Sequence, residues 1–189
     1  MGEPGRTFSL PNLITIGRIM LVPALVWAIA AGEAAVAFAL FVVAGLSDAV
    51  DGFLAKRFGM STKFGAFLDP LADKALIISV FVGLGIAGAI PLWLVVLVVS
   101  RDILIIGAVT LALLVGKPVK IRPLNVSKLN TVAQIVFASL VLGSLAFDFN
   151  AGPLQTVLMF VVATLTLVSV GFYTREWIRH MNTPEHEFG

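Results

Sequence analysis

Cysteine is absent from the 189 residues, and only 13% of them are charged. The first absence excludes disulfides and thiolate metal sites and leaves the redox compartment unmarked. The second excludes an ordinary soluble domain, where about a quarter of residues carry charge. Histidine is scarce too: His180 and His186 both fall in the polar C-terminal stretch, away from packed elements that would supply co-ligands for a histidine metal site. Low-complexity tracts are missing, and so are internal repeats, which weakens an inverted-repeat transporter architecture.

What is present is mostly apolar. Hydrophobic residues make up 59% of the chain and its mean hydropathy is +1.02. Apolar runs at about 12–31, 34–56, 66–87, 91–115, 129–147 and 153–174 each approach the length of a membrane crossing. The expected fold is all-α: a polytopic membrane protein with six transmembrane helices forming one domain over residues 1–189, with a mobile polar tail from about 180 to 189. With both termini cytoplasmic, every Lys and Arg except Arg101 lies on the cytoplasmic side or in helix portions nearer it, as positive-inside topology requires. Such a basic rim attracts anionic lipid head groups and polyphosphates. Membrane lipids are therefore expected neighbours, and no nucleic-acid partner is expected. No long presequence precedes the first run and no convincing cleavage site follows it, which favours a bacterial inner (plasma) membrane.

Four of the eleven acidic residues gather where the second run ends and the third begins, in SDAVDGFLAKRFGMSTKFGAFLDPLADK. Asp48 and Asp51 are three residues apart and Asp69 and Asp73 four apart, so each pair shares a helix face. A turn through Gly59, Met60 and Ser61 makes the two helices antiparallel neighbours, and the quartet can converge near the cytoplasmic boundary. Four carboxylates in partly dehydrated surroundings repel one another; a hard divalent cation removes the conflict. All-oxygen ligands favour magnesium, manganese or calcium, and open positions for phosphate oxygens suit Mg2+ or Mn2+ best. Gly45, Ala49, Gly52, Ala55, Gly65, Ala66 and Ala72 keep the helices thin, which permits close packing or entry of a flat ligand such as a nucleobase. Pro70 is tolerable in the first turn of the third helix.

This stretch resembles the signature of the CDP-alcohol phosphatidyltransferases, D-x2-D-G-x2-A-R-x8-G-x3-D-x3-D, with Asp48, Asp51, Gly52, Ala55, Gly65, Asp69 and Asp73 in register. Lys56 stands where the family has arginine, with Arg57 next; lysine supplies the charge but no planar fork. Flanking matches run from LPNLITIGRIMLVP through SRDILIIGA to VSKLNTVAQ, and SRD followed by SKLNT is more similar to cardiolipin synthases than to phosphatidylglycerophosphate synthases. The resemblance implies a six-helix membrane enzyme, commonly a homodimer, that binds CDP-diacylglycerol and releases CMP. It implies Asp48, Asp51 and Asp69 as metal ligands, and Asp73 as general base with metal contact as a second role. Gly52, Ala55, Lys56, Arg57 and Gly65 would face the CDP-lipid, joined by Asn12, Thr15 and Arg18 of the first run.

Arg18 and Arg101 are deep in apolar runs, where ionisable groups avoid lipid. For Arg18 the alternatives are snorkelling, pairing with a quartet member or Asp102, or lining the site. Arg101, Lys128 and Arg122 are candidates for holding the acceptor's phosphate; an internal ion pair is the alternative for Arg101, and positive-inside topology for Lys128. The expected acceptor is phosphatidylglycerol, giving cardiolipin, with glycerol 3-phosphate as the alternative. A cation or proton transporter using the aspartates as a relay is a more distant reading, disfavoured by the crowding of ionisable residues towards one face, and a structural scaffold is another.

Overall fold

Apolar segments of about twenty residues form helices because, away from water, each backbone N–H and C=O must find its partner within the segment. The computed structural model describes the backbone of residues 10–58, 63–114 and 125–181, and the side chains of 14–50, 71–107 and 126–175. The described residues form six helices and no strand: α1 (Leu10–Ala30), α2 (Ala34–Phe58), α3 (Lys63–Ile86), α4 (Leu92–Leu114), α5 (Asn125–Phe147) and α6 (Gly152–Met181). Val126–Phe147 and Gly152–Arg175 are long and apolar enough to cross a membrane, while Ile14–Ala30 and Ala34–Val50 are shorter apolar stretches. Of the expected polar tail, about 180–189, residues 180 and 181 belong to α6, and 182–189 lie outside the described residues, as does the turn through Gly59, Met60 and Ser61.

Helices α3 and α5 begin well before their apolar runs do. α3 starts at Lys63 and α5 at Asn125, because backbone hydrogen bonding continues through polar turns that a hydropathy pattern does not register. Pro70 accordingly lies within α3, past its first turn.

The C-terminal ends of α1, α3 and α5 are closed by left-handed residues. Gly32 (φ 75°) and Gly88 (φ 74°) follow α1 and α3, and Glu33 N–H donates to Ala28 C=O and Ala89 N–H to Leu84 C=O, each at 2.9 Å. These are six-to-one closures in which glycine avoids the Cβ clash of positive φ. Asp148 (φ 51°) takes the same role after α5.

The chain divides into two compact units. The first, Met1–Pro91 with Ala138–Ala151, holds α1, α2, α3 and the C-terminal part of α5. Within it α1 packs against both α2 and α3, around buried Leu25, Ala28, Ala37, Phe41, Val80, Phe81 and Leu84. A Cβ on Gly83 would stand 3.1 Å from Ile29 Cδ1, so the missing side chain sets how closely α3 approaches α1. Phe38 of α2 meets Phe147 of α5 edge-to-face at 5.4 Å, a favoured aromatic geometry. The second unit, Leu92–Phe137 with Gly152–Gly189, holds α4, the N-terminal part of α5, and α6. There α4 packs against α6, and buried Leu94, Val98 and Val162 share the interior with polar side chains. Outward-facing Met20, Trp27, Ile86, Val96 and Phe160 leave extensive apolar surface exposed, as suits a protein solvated by lipid.

Candidate active site

Arg18 is the meeting point of the first unit's charged residues. It sits on the face of α1 that packs inward, one turn after buried Thr15, and its side chain is 0% exposed. Its Nη1 lies 2.7 Å from Asp48 Oδ1 on α2 and donates to Asp73 Oδ1 on α3 at 2.5 Å. Because α1 packs against both helices, one guanidinium spans carboxylates that are far apart in sequence. The carboxylates themselves are 47% and 40% exposed, open enough to meet a ligand while anchored from behind.

Asp51 follows Asp48 by almost one turn of α2, and Asp69 precedes Asp73 by one turn of α3; their side chains lie outside the described residues, as do those of Asn12, Gly52, Ala55, Lys56, Arg57 and Gly65. Among the described residues there is no group of three or more metal-ligating side chains; Asp48 and Asp73 are the described members of the quartet. The donor set they begin is all oxygen, partly open, and directed from two helices at one point. That chemistry fits a hard divalent cation.

The second unit contains a separate buried polar column. Arg101 and Asp102 of α4 are 1% and 0% exposed and form an ion pair between Nη1 and Oδ1. Arg101 also donates from Nε and Nη2 to Ser169 Oγ of α6 at 3.2 and 3.0 Å, and from Nη2 to Ser127 Oγ of α5 at 2.5 Å. Its guanidinium is thus neutralised and hydrogen-bonded inside the protein. One turn after Ser127 on α5 and one turn before Ser169 on α6, Thr166 Oγ1 donates to Asn130 Oδ1 at 3.1 Å. Gln134, also 0% exposed, continues the line on α5. Among the described residues, Asn130 Nδ2 and both amide atoms of Gln134 have no hydrogen-bond partner.

Lys128 is exposed in the first turn of α5, and Arg122 lies outside the described residues. Sequence reasoning singled out Arg101 but not Ser127, Asn130, Gln134, Thr166 or Ser169. A signal exists: Ser127, Asn130 and Gln134 recur at intervals of three and four, and Thr166 and Ser169 at three, which places each set on one helix face.

Residues 8–172 match the family model of CDP-alcohol phosphatidyltransferase. A probable phosphatidylglycerophosphate synthase of Mycobacterium tuberculosis is 36% identical over 171 residues, covering 87% of this chain and 78% of that protein. The CDP-diacylglycerol--glycerol-3-phosphate 3-phosphatidyltransferase of Bacillus subtilis is 32% identical over 187 residues, covering 90% and 96%. Human cardiolipin synthase (CMP-forming) is 31% identical over 183 residues, covering 88% of this chain and 61% of its own length. The chain belongs to the CDP-alcohol phosphatidyltransferase family, and its relatives are phosphatidylglycerophosphate synthases and cardiolipin synthases. It is a membrane-associated transferase of phospholipid biosynthesis.

Proposed function

We propose that the chain transfers a phosphatidyl group from CDP-diacylglycerol to a hydroxyl of phosphatidylglycerol, forming cardiolipin and releasing CMP. The observation that carries the transferase chemistry is the convergence of Asp48 and Asp73, from two helices, on one point. Asp48, Asp51, Asp69 and Asp73 would hold Mg2+ or Mn2+, which when bound supplies the charge neutralisation that a departing nucleotide diphosphate needs. The Asp73 carboxylate accepts the acceptor's hydroxyl proton as the new O–P bond forms and the P–O bond to CMP breaks. Lys56 and Arg57 bring positive charge to the diphosphate, with Gly52, Ala55 and Gly65 leaving room beside it. Asn12, Thr15 and Arg18 add the polar face of α1.

Arg101, Lys128 and Arg122 are assigned to the acceptor's phosphate. Phosphatidylglycerol as acceptor is supported by the name of the human relative, a cardiolipin synthase (CMP-forming). A second reading, glycerol 3-phosphate as acceptor, is supported by the names of the Mycobacterium tuberculosis and Bacillus subtilis relatives. The chain is read as one domain of six membrane-spanning helices in a bacterial inner membrane, with its termini and site on the cytoplasmic side, acting as a homodimer.

The test is to incubate the purified protein with CDP-diacylglycerol, Mg2+ and each acceptor separately, and to identify the lipid by mass spectrometry. Cardiolipin formed from phosphatidylglycerol is the expected product. Phosphatidylglycerophosphate alone would move the enzyme to the second reading.

A further inference from the structure

Arg18 stands eight residues into α1, roughly 12 Å along the helix at 1.5 Å per residue. Its side chain is fully enclosed, so snorkelling to a polar surface is excluded by the geometry. A guanidinium cannot be deprotonated in this setting, and a buried cation is strongly unfavourable unless paired. Arg18 is paired twice, with Asp48 and with Asp73, through the same nitrogen. Nη1 carries two N–H bonds, one for each carboxylate.

The carboxylates so engaged are the ones a hard cation would use. Cation binding there competes with Arg18 for the same carboxylates and meets its positive charge at close range. We propose that Arg18 is the resident counter-cation of the carboxylate site: it holds Asp48 and Asp73 together and sets the divalent-metal affinity by yielding its contacts as the cation binds. This rests on the reading of Asp48 and Asp73 as metal ligands and gives Arg18 a positioning role besides any contact with the CDP-lipid. The arrangement has two consequences. The carboxylates stay gathered without depending on a metal for their cohesion, and the metal is held more weakly than four carboxylates alone would hold it.

The experiment is a titration of the full-length protein in detergent with Mn2+ alone, reading free Mn2+ by electron paramagnetic resonance, alongside the thermal midpoint with and without Mn2+. Arg18→Gln, which removes the charge, is expected to bind Mn2+ about tenfold more tightly than the unaltered protein and to gain more thermal stability from it. Equal or weaker affinity in Arg18→Gln would overturn the proposal. If Arg18→Gln folds only when Mn2+ is supplied, the metal has replaced the missing counter-cation and the proposal stands. If it folds under neither condition, Arg18→Lys decides: an ammonium keeps the charge and has three donors on one nitrogen, so Mn2+ affinity close to that of the unaltered protein supports the proposal, and affinity changed about tenfold with the charge retained overturns it. Failure of the metal-site reading looks different, because the unaltered protein would then show no Mn2+ binding, or binding that survives Asp48→Asn and Asp73→Asn.

Discussion

Arg18 on α1 donates a 2.5 Å hydrogen bond to Asp73 on α3, although 55 residues separate them. The bond joins α1 to the helix that carries half of the carboxylate quartet. Its energetic signature is coupling. Removing Arg18 leaves Asp73 without its counter-charge, a loss that disappears once Asp73 is neutralised as well. Arg18→Met and Asp73→Asn are therefore expected to be non-additive, the double variant being more stable than the sum of the single losses by about 1–3 kcal/mol. Thermal midpoints of the four proteins in one detergent check this; strict additivity would contradict the pairing.

The Arg101–Asp102 pair should be the more sensitive of the two ion pairs, since neither partner reaches solvent. Asp102→Ala leaves an enclosed guanidinium with only hydroxyl partners and is expected to cost about 3–5 kcal/mol. Ser169→Ala removes hydrogen bonds to a charged donor and should cost about 1.5–3 kcal/mol. The ordering of the two midpoints is the check: a Ser169→Ala loss as large as that of Asp102→Ala would contradict it.

Gln134 predicts the opposite sign. Its amide is enclosed, and among the described residues neither polar atom has a partner. An unsatisfied buried polar group costs about 1–3 kcal/mol, so Gln134→Leu is expected to leave stability unchanged or raise it. A lowered thermal midpoint would show that the amide is satisfied within the folded protein.

Gly83 tests the packing that delivers Arg18 to its partners. A Cβ there would approach Ile29 Cδ1 to 3.1 Å and Cγ2 to 3.3 Å, so Gly83→Val should overpack the α1–α3 contact and cost about 1–3 kcal/mol. Gly83→Val combined with Ile29→Ala should recover part of the loss. No recovery would mean that the strain arises elsewhere.

The helices were legible in the sequence because apolar length is a one-dimensional property, and the glycines that end α1 and α3 stand in its short loops. Boundaries at Lys63 and Asn125 were not, since helical hydrogen bonds extend through polar residues once a helix is nucleated. The carboxylate pairs were legible from spacing alone. Pairing of Arg18 with two quartet members was one of several open alternatives, because choosing among them requires knowing which helices α1 touches. The column of Ser127, Asn130, Gln134, Thr166 and Ser169 was harder still. Uncharged polar residues are common in membrane helices, and only the docking of α4 on α6 and the facing of α5 turn them into one network around Arg101.

The central claim is that the carboxylates carry metal-dependent phosphatidyl transfer. The most direct measurement is CMP release from CDP-diacylglycerol by the purified protein with phosphatidylglycerol, with and without Mg2+, beside Asp73→Asn. The account predicts release that requires the cation and falls at least about a hundredfold in the variant, the scale of losing a general base. Release that persists in Asp73→Asn, or that ignores removal of Mg2+, would contradict it.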